Sequence, residues 1–94
     1  MKGTKHDNGK PRYDLLPPYA LNELAKVLQF GAKKYDAENW RKVDNAKDRY
    51  FAAAQRHLWS YKRGAELDQE SGLHHLAHAV CCIMFIHELE ELEK

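Results

Sequence analysis

Several features that would place a chain quickly are scarce or absent here. The sequence holds only 2 cysteines, adjacent at Cys81 and Cys82. Neighbouring residues on a helix point in different directions and do not easily bridge, so both are expected to be reduced, buried thiols of a cytoplasmic protein. With no spaced pair of Cys ligands, a zinc finger is excluded. Charge of one sign is not in excess either, with Lys+Arg at 15 and Asp+Glu at 14. Proteins that coat nucleic acid carry a large basic surplus, so that partner is disfavoured. The longest apolar run, Ala79 to Ile86, is too short for a bilayer and ends in an acidic tail. Nothing reads as a signal peptide, and no membrane partner is expected. No strand-like alternation and no internal repeat is present.

What remains is helical. At 94 residues the chain is expected to form one small domain. An extended arm occupies residues 1–17 and a helical body residues 18–94. Gly, Pro, Asn and Asp break any periodicity in the arm. Tyr13, Leu15 and Leu16 give it apolar groups to pack on the body. Pro18 suits the first turn of a helix that carries Leu21, Leu24 and Leu28 in one stripe and runs to about Lys34. A polar, turn-rich segment follows, with Trp40 as an anchor or a stacking surface. The second helix is expected from Asp48 to Lys62, ended by Gly64. Ser71 is the expected N-cap of a third helix that reaches nearly to the C-terminus. Its middle, AVCCIMFI, is apolar on every side, so that helix is expected to be central. A chain this short cannot cover it alone, which predicts a homo-oligomer, a dimer or tetramer. The fold class is therefore an all-α small helical bundle with an extended N-terminal arm.

The residues able to carry chemistry fall into two groups. His57 lies near the end of the second helix, and His75 and His78 lie one turn apart on the third. Glu66, Asp68 and Glu70 occupy the loop between them. Imidazoles and carboxylates gathered by a helix–loop–helix turn can hold a divalent cation, which can activate water or bind phosphates. A plainer account exists for each: histidines at a polar helix edge, and acids that favour a helix N-terminus. Cys82 follows His78 by one turn, but a free Cys is more often simply buried. The second group is basic and aromatic. It comprises Lys10 and Arg12 in the arm, then Lys33, Lys34, Tyr35, Asn39 and Trp40, then Arg49 and Arg56. Such a set suits a nucleotide, with charge for phosphates, a ring for stacking and an amide for a base edge. Lysines at a helix C-terminus also complement its dipole, which accounts for at least one of Lys33 and Lys34. Glu23 is a minor further candidate, more at home on a solvated helix face.

The strings GKPRYDLLPPYALNELAKVLQFGAKKYDAENW and RYFAAAQRHLWSYKRGAELDQESGLHHLAHAVCC resemble the small phage and bacterial dATP/dGTP diphosphohydrolase domain. The resemblance runs from Gly9 to about Phe85, and FGAKKY, NW, RH, ESG and HLAHA are specific in combination. It implies hydrolysis of a purine deoxynucleoside triphosphate to the monophosphate and pyrophosphate in a phage or bacterial cytoplasm. A more distant likeness is to MazG-like all-α pyrophosphohydrolases, which hold Mg²⁺ with acidic motifs on two neighbouring helices. In that likeness His75 and His78 stand where the two acids of the second motif stand. Ala53, Ala54 and His57 take the positions of the first. The resemblance implies a divalent metal, Mg²⁺ or Mn²⁺, and imidazole ligands lean toward a transition ion. The expected site then has His57, Asp68, Glu70, His75 and His78 at the metal, with His57, Glu70, His75 and His78 catalytic. Lys33, Lys34, Arg49 and Arg56 offset phosphate charge, Trp40 and Asn39 contact the base or close the pocket, and Lys10, Arg12 and Tyr35 assist binding. Two readings from other classes compete: a nucleotide binder without turnover, and a helical oligomerisation module.

Overall fold

The structure is a computed structural model that describes residues 2–94. Its elements in chain order are a 3₁₀ turn at Tyr13–Leu15, helix α1 at Pro18–Lys34, a 3₁₀ turn at Asn39–Arg41, helix α2 at Ala46–Lys62 and helix α3 at His75–Leu92. Among the described residues there is no strand, only one antiparallel bridge between Leu67 and His74. The all-α class read from the sequence is the class observed.

The helix ends follow from local chemistry. Pro18 occupies the first turn of α1, where a missing N–H costs nothing. Lys33 and Lys34 fill its last turn against the negative end of the dipole. Helix α2 begins at Ala46, two residues before the expected Asp48, because Asn45 takes a left-handed φ of 53° and its carbonyl receives the Arg49 amide. Gly64, with φ of 107°, turns the chain out of α2 as expected.

The start of the third helix differs from expectation. Ser71 is not its N-cap. His74 is, and its Nδ1 accepts the Leu76 amide at 3.0 Å. Gly72, at φ 73°, keeps the chain out of helix for one more turn, and Ser71 is used by the loop instead.

Helix α3 is the central element, with α2 packed along one flank and α1 on the other. Lys47 pairs with Glu93 at 2.8 Å, and His57 meets His75 at the other end, so α2 and α3 run antiparallel. Ala54 and Ala79 are almost wholly buried, and their phase on the two helices places them on the mutual faces. Small side chains there let the helices approach closely. Leu24 and Val27 of α1 pack with Cys81 of α3, supported by Leu73, Ala77 and Phe85. Burial pushes the Cys81 thiol up to about 12, so it is a neutral core group. Cys82 is also raised by its burial.

The arm does not pack on the body as the sequence suggested. Tyr13 is 78% exposed and Leu15 69%. Arg12 instead pairs with Asp14 at 2.6 Å within the arm. These apolar groups stay uncovered although the helices also expose apolar side chains, among them Leu21, Val80 and Ile83. No described helix is long and apolar enough to cross a membrane.

Candidate functional site

The loop between α2 and α3 is a pinned hairpin. The Asp68 amide donates to the Leu73 carbonyl and the His75 amide donates to the Glu66 carbonyl, each at 2.8 Å. The Gly72 amide donates to the Asp68 carbonyl, also at 2.8 Å. Inside this hairpin the Asp68 carboxylate accepts the Ser71 amide at 2.9 Å, and the Ser71 hydroxyl accepts the Leu73 amide at 3.1 Å. The same hydroxyl lies 2.6 Å from His78 Nε2. Asp68, Ser71 and His78 are thus one linked unit. Burial works against the charge on Asp68, but the Ser71 hydrogen bonds outweigh it, and the carboxyl sits below its ordinary range.

His57 comes to this unit from α2. Its Nδ1 lies 2.8 Å from His75 Nδ1, and its ring stacks on His78 with centroids 4.6 Å apart and an interplanar angle of 11°. Burial, then the neighbouring His78 and His75, push the His57 imidazole down to about 4. Burial likewise lowers His78. Both are neutral near pH 7, the state in which imidazole binds a metal. One ligand atom from each of His57, Asp68 and His75 lies within 4.8 Å of the other two. Two nitrogens bonded at ~2.0–2.1 Å to one tetrahedral ion sit about 3.3 Å apart, so the His57–His75 pair would open by only about 0.5 Å. The donor set, two imidazoles and a carboxylate, therefore fits a divalent transition ion.

Beside the cluster, a cleft of about 770 Å³ runs between the three helices. That is within the range of small-molecule sites. His57, Asp68, Glu70 and His78 line one end of it, while His75 is buried behind. Lys34, Tyr35, Asn39, Trp40, Arg49 and Arg56 also line it, so six of the nine expected substrate contacts converge on one space. Lys10 and Arg12 stay in the exposed arm, and Lys33 lies outside the lining at the exposed end of α1.

Several roles change on this geometry. Glu70 is not in the group of close donor atoms. Its carboxylate holds Lys34 at 2.7 Å across the mouth of the cleft and keeps that lysine protonated. His78 turns to Ser71 and lies beside the His57–Asp68–His75 group rather than within it. Trp40 stacks on Phe85 at 4.5 Å with an angle of 4°, and the Arg41 guanidinium lies over the same ring at 4.5 Å. It is a wall anchor, not a platform open to a base. Glu66 contributes its carbonyl to the hairpin, and Glu23 pairs with Lys26 at 3.0 Å. Ala53 lines the cleft, whereas Ala54 is buried against α3. Ser71 and Phe30 were missed from the sequence. Ser71 reads there as a helix cap, and nothing in the sequence singles out Phe30, which lies edge-on to His78 at 6.5 Å.

As a class, this is an all-α domain whose helix–loop–helix turn gathers three imidazoles and a carboxylate beside a cleft lined by Lys34, Arg49 and Arg56 and by Asp36, Asp68 and Glu70. The whole chain, residues 1–94, matches the family described as dATP/dGTP diphosphohydrolase, N-terminal, and the chain belongs to that family. It is similar to the dATP/dGTP diphosphohydrolase of Salmonella phage PMBT28, with 38% identity over 86 residues. That alignment covers 92% of this chain but only 29% of the phage protein. No solved structure matches.

Proposed function

We propose that this domain binds a purine deoxynucleoside triphosphate in the three-helix cleft and hydrolyses it to the monophosphate and pyrophosphate. The observation that carries the reading is the convergence of Lys34, Arg49 and Arg56 with the His57–Asp68–His78 wall in one cleft. The relative's name supplies the substrate class.

The cleft divides by chemistry. Arg56, one turn after Ala53 on α2, lines the same cleft as His57 and His78, and a guanidinium there suits the phosphates. Lys34 reaches the same end from α1 once it releases Glu70. Asn39, with Trp40 and Phe85 as an apolar wall, lines the part left for sugar and base. In the reaction a water oxygen forms a bond to the α-phosphorus, and the bond from that phosphorus to the bridging oxygen breaks. Pyrophosphate leaves with the bridging oxygen. The neutral His78, held by Ser71, accepts the proton of the attacking water. Arg56 and Lys34 offset the charge that develops on the phosphate oxygens. His57, His75 and Asp68 are the residues that would hold a divalent ion, which when bound would add positive charge at the phosphates and acidify a water.

The test is pyrophosphate release from each dNTP and NTP with Mg²⁺, Mn²⁺, Co²⁺ or Zn²⁺, and with EDTA. Metal-dependent release from dATP or dGTP, with the monophosphate as co-product, is the expected result. His57→Ala should lower kcat/KM by at least about 100-fold, the usual scale for a lost metal ligand or acid–base group. A second reading is favoured by the 29% coverage of the phage relative: the domain binds the nucleotide while the rest of the longer protein cleaves it. Triphosphate binding without release in any metal selects that reading.

A further inference from the structure

We propose that the ring of Tyr35 is the platform on which the base stacks, so that the cleft favours purines without choosing between adenine and guanine. This deepens the nucleotide reading of the cleft and rests on it. The first observation concerns the rings that line the cleft. Trp40 and Phe85 stack on each other at 4.5 Å, and Tyr50 stands edge-on to Phe85 at 5.1 Å. Phe30 stands edge-on to His78, which in turn stacks on His57. These rings are committed to one another as a wall, and each is at least partly buried. Among the described residues, Tyr35 is the one exposed ring in the lining, at 62%. It offers a ligand aromatic surface that no neighbouring ring covers.

The second observation is where that ring stands. Tyr35 closes α1, and its amide donates to the Gly31 carbonyl at 2.9 Å. The chain then turns at once. The Glu38 amide donates to the Asp36 carboxylate at 2.9 Å, and the Asn39 amide donates to the Asp36 carbonyl at 3.2 Å. The backbone under the ring is therefore fixed on both sides. Lys34 Nζ lies 5.2 Å from the centroid of the ring and 2.7 Å from Glu70 on the hairpin. The platform thus adjoins the cation assigned to the phosphates, as a nucleotide requires, since only a sugar separates its base from its phosphates. A lysine that leaves the ring for a phosphate also uncovers the face it held.

The chemistry of the two purines supplies the third argument. Adenine carries an amino donor where guanine carries a carbonyl acceptor, so a donor or acceptor fixed at that edge accepts one base and rejects the other. A ring makes no such distinction, because every base presents a π-face. It does respond to area, and a fused purine covers more of a tyrosine than a single pyrimidine ring does. Asn39, in the same lining, carries both a donor and an acceptor on its amide and forces no choice either.

The test is binding of the α,β-methylene analogues of dATP, dGTP and dCTP, in which the scissile bridge is a carbon, to the whole chain with Mg²⁺. Inorganic triphosphate, which has no base, is the control. Tyr35→Ala should weaken the dATP and dGTP analogues alike by about tenfold, the dCTP analogue by less, and inorganic triphosphate by less than about twofold. Tyr35→Leu, which keeps an apolar side chain without a ring, should show the same loss, and Tyr35→Phe should recover most of it. Circular dichroism checks that the helices persist in each variant. An equal loss for inorganic triphosphate would overturn the inference, because the ring would then serve the phosphate end or the fold. Unchanged affinity for the purine analogues in Tyr35→Ala, full affinity in Tyr35→Leu, or a loss confined to one purine would overturn it too. Each of these leaves the nucleotide reading of the cleft standing. A wild-type chain that binds none of the analogues would overturn both.

Discussion

At the scale of single residues, the protonation of the histidine cluster has a measurable consequence. His57 titrates at about 4 in the folded chain and at an ordinary 6.5 when unfolded. Between those values the unfolded chain binds a proton that the folded chain does not, so stability falls as pH drops from about 6.5 to about 4. His78, also lowered by burial, adds in the same direction. Asp68 acts in the neighbouring window: its folded carboxyl titrates below 3.8, so its contribution holds above that value and is lost as pH falls through the folded one. In EDTA-treated protein, thermal midpoints measured from pH 8 to pH 4 should fall steadily below about 6.5, and His57→Gln should flatten that fall. An unchanged slope in the variant would show that the acid sensitivity lies elsewhere. Much of this cluster was legible. Imidazoles at His75 and His78 share a face by spacing, and His57 sits one hairpin away. The division of labour among them was not legible, because it depends on Ser71. A serine before a helix reads as a cap, and only the left-handed Gly72 makes it a partner of His78.

At the scale of elements, the hairpin from Glu66 to His75 governs the site. Three of its backbone amides donate to carbonyls of the same hairpin at 2.8 Å, and Gly72 supplies the left-handed turn. No atom crowds the space where a Cβ at Gly72 would sit, so the cost of Gly72→Ala is conformational, about 1–2 kcal/mol. The expected result is a matching loss in urea denaturation together with weaker nucleotide or metal binding. Gly31→Ala, in the last turn of α1 where it lines the cleft with open space around its Cβ, should by contrast stabilise α1 by up to about 1 kcal/mol without crowding a neighbouring side chain. The helices themselves were largely legible from periodicity and from Pro18 and Gly64. The start of α3 was not, because Ser71, a strong N-cap residue with the acids Asp68 and Glu70 just before it, precedes the true cap at His74. A sequence ranks caps by residue type, whereas the fold ranks them by where the hairpin closes.

At the scale of the whole molecule, α1 is held to α3 by little more than Leu24, Val27 and Cys81 with their neighbours. It also carries Phe30 and Lys34 to the cleft, so core stability and site geometry share one contact. Leu24→Ala should cost about 2–3 kcal/mol, a large part of the total for so small a domain. It should also raise the KM for the triphosphate, or its Kd if no turnover occurs, more than it changes kcat. Equal losses in both would mean that α1 positions the reacting groups rather than only the phosphates. The central place of α3 was legible in its all-round apolar run. The exposure of the arm was not, because Tyr13, Leu15 and Leu16 look like core to any reading of composition.

The bridge that joins Leu67 to His74 has a consequence for exchange of amide hydrogens with solvent. A surface loop normally takes up deuterium within seconds. The amides of Asp68, Gly72 and His75 are instead locked to carbonyls, and the hairpin is anchored to α2 and α3 through His57 and His78. They should be released only when the two helices part, so their uptake should follow the slow rate of the α2–α3 core. The amides of the arm should label within the dead time. Three slow probes beside the cleft would then report directly, in the uncleaved protein, whether a nucleotide tightens the turn that holds its site.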